Sequence, residues 1–156
     1  MQNSNRPSRA NTEIRAVGVA LTSASDRAEA ETLFKSIGEG AIVTDSEGRI
    51  SRINRAAEDI LGIKAEDVIG KWYPSVVIVE DEDGNLIPNS ERPITEVFMS
   101  NKPIFRKVYA RKSNGKRVAL ALTVSPVKHR GKPIGAIELF RDISDEVRLE
   151  RARTEF

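Results

Sequence analysis

The chain has no cysteine, one histidine and few aromatic residues, 5% of 156 positions. Without thiols there are no disulfides, no thiolate nucleophile, no Cys-ligated zinc and no cysteine-linked chromophore. The single histidine, His129, rules out a multi-histidine metal site. The longest apolar runs, "VALALTV" and "VVIV", fall far short of the ~20 residues of a membrane helix. Charge of neither sign dominates, and a formal net charge of +2 is too small to announce a nucleic-acid or membrane partner. The N-terminal stretch "MQNSNRPSRANTE" lacks the apolar core of a signal peptide, so a cytoplasmic protein is the simplest reading. What remains is an ordinary globular composition, 39% hydrophobic and 31% charged. A chain of this length predicts one domain with flanking segments, able to bury roughly 70% of its unfolded surface without a staple.

Residues 1–12 hold almost nothing apolar and are predicted to be disordered. Residues 13–38 read as an N-terminal helical flank. Within it Ile14, Val17, Leu21, Ala24 and Ala28 step by three and four, a heptad pattern, while Gly18, Ser23 and Ser25 weaken that helix. Asp26 and Glu29 resemble a capping box, which predicts a helix over 26–37 with Leu33, Phe34 and Ile37 on one face.

From Ala41 the pattern changes. "AIVTD" and "ISRIN" read as strands joined by the turn "SEGR". Asn54 is placed to cap the helix "RAAEDIL", with Ala57, Ile60 and Leu61 inward and Gly62 as its stop. "EDEDGN" invites a calcium reading, but counting from Asp81 puts Leu86 and Arg92 where an EF-hand loop needs glycine and glutamate. A helix is predicted from about Arg92 to Ser100, with Pro93 in a first turn that tolerates proline and Ile94, Val97 and Phe98 on a shared face. An antiparallel meander follows: "IFRKVYAR", an Asn-Gly turn, "RVALALTVSPV", the turn "KHRGKP" and "IGAIELFRD". Val118, Leu120, Leu122 and Val124 alternate with Ala119, Ala121, Thr123 and Ser125, so one face is strongly apolar and the other small. The economical assembly is α+β: one five-stranded antiparallel sheet with short helices on one face, flanked by N- and C-terminal helices.

The segments "GAIVTDSEGRISRINRAAEDILG", "AEDVIGK", "ERPITEVFMSNKPI" and "PIGAIELFRDISDE", in that order, resemble a PAS sensor domain. The likeness runs from about Glu31 to Glu146 and places the PAS domain at 39–143, with 144–156 as the start of a signalling helix. It implies a sheet and helices around a small cavity, and a regulatory input for a histidine kinase, cyclase or transcription factor. Trp72, Phe98, Tyr109 and Leu122, drawn from the helical side and the sheet, are the residues expected to reach that cavity. The flavin-photosensing branch needs an adduct-forming cysteine that is absent here. The haem-binding branch commonly uses a histidine on the helix reading "RPITEVFMS", which has none. A noncovalent flavin or a small metabolite fits what is left, as does a ligand-free domain serving only as a dimerisation spacer. Asp142, Ile143 and Ser144 match the exit motif, where the last strand passes into the signalling helix. "RARTEF" resembles the segment ahead of the phosphoacceptor box of sensor histidine kinases, which implies an effector following in cis. A parallel homodimer through Ile14, Val17, Leu21 and Leu149 is the family's usual assembly.

Two other function classes fare worse on the residues. Nine lysines and arginines lie between Arg106 and Lys132 with no acidic residue among them. They are predicted at opposite ends of a strand, however, and stacking aromatics are sparse, so nucleic-acid binding is not expected. No phosphate-cradling glycine loop and no Ser-His-Asp set is present, so no catalytic residue or metal ligand is assigned.

Overall fold

Val118, Leu120, Leu122 and Val124 are all buried in one core cluster, as their alternation requires. The computed structural model describes residues 24–154. In chain order the elements are α1 (Ala24–Ser36), β1 (Gly40–Asp45), β2 (Ile50–Ile53), α2 (Arg55–Leu61), α3 (Ala65–Val68) and α4 (Tyr73–Val76). Then come β3 (Val79–Glu80), a 3-10 turn (Asn89–Glu91), α5 (Pro93–Ser100), β4 (Ile104–Arg111), β5 (Arg117–His129), β6 (Lys132–Asp142) and α6 (Ser144–Thr154).

The sheet is antiparallel in the order β2-β1-β6-β5-β4-β3, so the last strand lies in the middle beside the first. It has six strands where five were expected. The sixth, β3, pairs only Val79 with Ala110 and Glu80 with Tyr109, too short to leave an alternating signal. Helices α2 to α5 cover one face, where Ala57, Leu61, Val68, Tyr73, Ile94 and Val97 meet the apolar face of β5. The other face carries α1, whose Phe34, with Ile37 just past its end, packs on Ala41, Val43, Val127, Ile137 and Leu139. Ala24 and Ser25 are already helical, so Asp26 lies inside α1 rather than at its cap. The predicted disorder of residues 1–12 and the seam positions Ile14, Val17 and Leu21 lie outside the described residues.

Two local features fix the central strands. Asn54 is 2% exposed, and its Oδ1 accepts from Ala57 N at 2.9 Å, capping α2, and from Ala41 N at 2.9 Å. Its Nδ2 donates to Ile37 O at 3.3 Å and Glu39 O at 2.9 Å, so one side chain joins the end of α1, β1 and α2. At Gly135 a Cβ would fall 1.9 Å from Thr44 O, so β1 and β6 can pair there only around glycine.

Candidate functional site

On β6, residues 136, 138 and 140 face the helices. Ala136 and Phe140 belong to the main core, and Glu138 between them is 1% exposed. Its cross-strand neighbours, Ile42 on β1 and Val124 on β5, are apolar. A carboxyl group is thus placed in the interior between the sheet and the short helices.

Two polar side chains reach it from the helical layer. Tyr73 opens α4, with Pro74 in a first turn that tolerates proline. Arg92 stands before Pro93 in the extended conformation that a following proline favours. Its guanidinium lies 4.9 Å from the Tyr73 ring centroid and donates to Val77 O at 2.8 Å and Pro74 O at 3.4 Å. Arg92 therefore bolts α4 to the start of α5 with a cation–π contact and two carbonyl bonds. The Tyr73 hydroxyl and the Glu138 carboxyl lie close enough to act on each other's protonation.

The cluster is not fully satisfied. Glu138 Oε2 and Arg92 Nε are both buried without a hydrogen-bond partner. Burial pushes the Glu138 carboxyl up to about 7, against the opposing pull of the Tyr73 hydroxyl and the Arg92 charge. Burial also raises the Tyr73 phenol well above its ordinary value, with the Glu138 charge adding to the effect. Near neutrality, then, the interior holds a carboxyl poised between neutral and ionised, with one free oxygen.

Four residues beyond Glu138, β6 passes into α6. Ile143 N donates to Ala119 O at 2.8 Å, and Ala119 N donates to Ser144 Oγ at 3.1 Å. Ser144 N donates to Asp142 Oδ1 at 2.9 Å, and Val147 N to Ile143 O at 3.0 Å begins α6. The ladder between β5 and β6 is in this way carried one rung into the helix, and its direction is set by side chains of Asp142 and Ser144.

The four residues expected to line a cavity do not come together. Leu122 is 3% exposed in the core. Tyr109 is buried too, but its neighbours Val108 and Ala110 occupy the core, so period-two alternation turns it to the opposite face. There Arg117 stacks on its ring at 4.1 Å. Trp72 is 45% exposed beside Gly48, and Phe98 on α5 is 37% exposed. Leu149 on α6 is exposed. The interior residues missed from sequence are Glu138, Tyr73 and Arg92. Their signal is Glu138 itself, a charged residue at an inward position of "IGAIELF".

The acidic run forms a tight turn in which Asp81 Oδ1 accepts from Asp83 N and Asn85 N, each at 2.9 Å. Hydrogen bonding from the Asn85 backbone holds the Asp81 carboxyl below its ordinary value. Among the described residues no three His, Cys, Asp or Glu side chains are grouped as a metal site would need. Among the same residues no helix is long and apolar enough to cross a membrane.

With this topology and exit geometry, residues 34–148 match a family model described as the PAS fold. The chain belongs to the PAS family, a sensory and non-catalytic fold. Over 132 residues it is 26% identical to the sensor protein kinase WalK of Staphylococcus aureus, covering 85% of this chain and 29% of that protein. It thus spans under a third of that relative's length. A PAS domain from Colwellia psychrerythraea is similar in structure at TM-score 0.60 and 19% identity, covering 78% of this chain and 97% of that one. The PAS domain of nitrogen regulation protein NR(II) from Vibrio parahaemolyticus gives 0.56 at 17% identity, with 72% and 95% covered. Family membership and the likeness to a sensor kinase support a signalling sensor role for this domain.

Proposed function

We propose that this chain is the input module of a two-component sensor protein, regulating a C-terminal histidine kinase through the direction of α6. The observation that carries this reading is the course of β6. One strand joins the buried, incompletely bonded Glu138 to the Asp142–Ser144 junction four residues later. A change in how α4 and α5 sit on Glu138 reaches the exit helix without crossing a flexible loop. The mechanism is a population shift, in which the stimulus favours one of two junction geometries. A small polar molecule entering beside Glu138 and Arg92, or a partner pressing on α5, is the kind of stimulus that this interior reads. The module works as a homodimer in which the N-terminal flank and the exposed Leu149 of α6 pack against a second copy.

The test is Asp142→Ala in the full-length parent protein, with autophosphorylation and hydrogen exchange along α6 read together. Loss of one junction hydrogen bond, about 0.5–1.5 kcal/mol, should leave the sheet protected, loosen the first turn of α6 and alter the ratio of active to inactive kinase. If helix protection and kinase output both stay as in the wild type, the exit role is refuted. Native mass spectrometry of freshly purified protein reports separately whether a small molecule is carried.

A further inference from the structure

On the sheet face opposite Glu138, between the β4–β5 turn and α6, lies an open cleft of about 350 Å³. Five cationic residues line it: Lys112, Lys116 and Arg117 from the turn and β5, and Arg148 and Arg151 from the helix. The sequence hides this grouping, because more than thirty positions separate Arg117 from Arg148. Folding brings them together because Ser144, Val147, Arg148 and Arg151, spaced by three, one and three, form one stripe of α6. The Ser144 bond to Ala119 N sets that stripe against the start of β5.

The charges are poorly compensated. Arg117 Nε is tied to Glu80 at 3.0 Å, and Arg148 pairs with Asp145. Lys112, Lys116 and Arg151 have no carboxylate partner among the described residues. Asp142, the one carboxylate on the cleft wall, already accepts from Ser144 N. Tyr109 also lines the cleft, and its hydroxyl is buried without a hydrogen-bond partner. Uncompensated cations converging from two elements, beside an unused phenol donor, are the complement of a compact polyanion.

We propose that this cleft is a binding site for a small molecule carrying two or more linked phosphate groups, held between Lys112 and Lys116 on one wall and Arg151 on the other. A nucleic-acid strand fits the surface less well. The other basic turn, around Lys128–Lys132, lies at the far end of β5, thirteen residues or roughly 40 Å away. The single aromatic ring at the cleft is covered by Arg117 and offers no stacking platform. A bound polyphosphate would cross-link the β4–β5 turn to α6. The binding claim stands apart from the sensor reading, since it is measured without an effector.

The test is calorimetric titration of the chain with sodium tripolyphosphate, without metal and at about 0.15 M ionic strength, where long-range surface attraction is screened. Inorganic phosphate and a single-stranded oligonucleotide serve as parallel titrants. One tripolyphosphate per chain is expected, with phosphate much weaker. The combined variant Lys112→Gln, Lys116→Gln, Arg151→Gln should weaken it about tenfold or more, and Lys128→Gln with Lys132→Gln should leave it within about twofold. Arg151→Glu alone, at an exposed position near the end of α6, gives the same direction should the combined variant lose its fold. The site is refuted if wild-type protein does not bind, if the cleft variants bind as well, or if the distant pair loses as much. Equal affinity for inorganic phosphate also overturns it, as does tighter oligonucleotide binding that depends on Lys128 and Lys132.

Discussion

Replacing Glu138 with glutamine tests the interior directly, because it removes the charge while keeping the shape. Burial raises this carboxyl from an ordinary 4.5 to about 7 in the folded chain. The folded state therefore holds the proton more tightly than the unfolded chain does. Stability is fullest below 4.5 and is lost as pH rises through 7, at about 1.4 kcal/mol per pH unit, or roughly 3 kcal/mol in all. Glutamine has no proton to release, so its contribution is flat over that window. It does place an amide where Glu138 Oε2 has no partner, so the variant should be no more stable than wild type at about pH 5. At about pH 8 the order should reverse, with the variant more stable by up to about 3 kcal/mol less that amide penalty. Other groups do not mimic this signature. Glu80 is lowered by its bond to Arg111 and Asp81 by its bond from Asn85, so both act below the ordinary carboxylate range. Tyr73 is pushed well above its own range and stays protonated throughout. Urea unfolding of both proteins from about pH 5 to pH 8, compared at constant m, gives the difference curve. A second arm uses Tyr73→Phe, which removes the hydroxyl that lowers the carboxyl and should move the loss of stability to higher pH. Parallel pH curves for wild type and Glu138→Gln would refute the claim that a desolvated carboxyl titrates inside this domain.

Other perturbations follow from single contacts. Asn54→Ala removes a cap and the ties to Ala41, Ile37 and Glu39, and should cost about 2–4 kcal/mol in urea unfolding, against about 1 for an ordinary cap. Gly135→Ala meets the Thr44 carbonyl rather than a flexible side chain, so β1 and β6 must part, with a loss of about 1–3 kcal/mol and faster exchange of both strands. Glu80→Gln weakens the bridge to Arg111 and Arg117, both partly exposed, and should lower stability at neutral pH by about 1–2 kcal/mol, a difference that closes in acid as Glu80 itself is protonated. Removing residues 1–25 should shift a weak, concentration-dependent dimer toward monomer in sedimentation without unfolding the sheet; an equally tight dimer would discard the flank as its seam.

The fold was legible where one residue answered to one local demand. Asn54 before an apolar-periodic run, Gly62 after it, Pro93 at a first helical turn and the strict alternation from Val118 to Val124 each gave an element its place. The hydrogen bonds between β6 and α6 were legible for the same reason, since Asp142 and Ser144 act on backbone groups one or two positions away or on the adjacent strand. Interior and cleft were not, because both depend on which residues meet across elements. Tyr109 and Leu122 look equally suited to a cavity in sequence, and an odd number of steps between β4 neighbours sends one to each side of the sheet. Glu138 sits inside a run that reads simply as the closing strand, although a charged residue at an inward position is costly enough to demand a reason. Arg92 reads as the start of a helix, yet it stands just before α5, is 3% exposed and holds two carbonyls of α4 and its exit. A core built for stability alone would carry an apolar side chain at position 138, since a hydrophobic replacement of a buried, half-bonded charge is commonly neutral or stabilising. Keeping a carboxyl there costs stability near neutral pH, a cost that folding alone does not call for and that the proposed sensor role would account for.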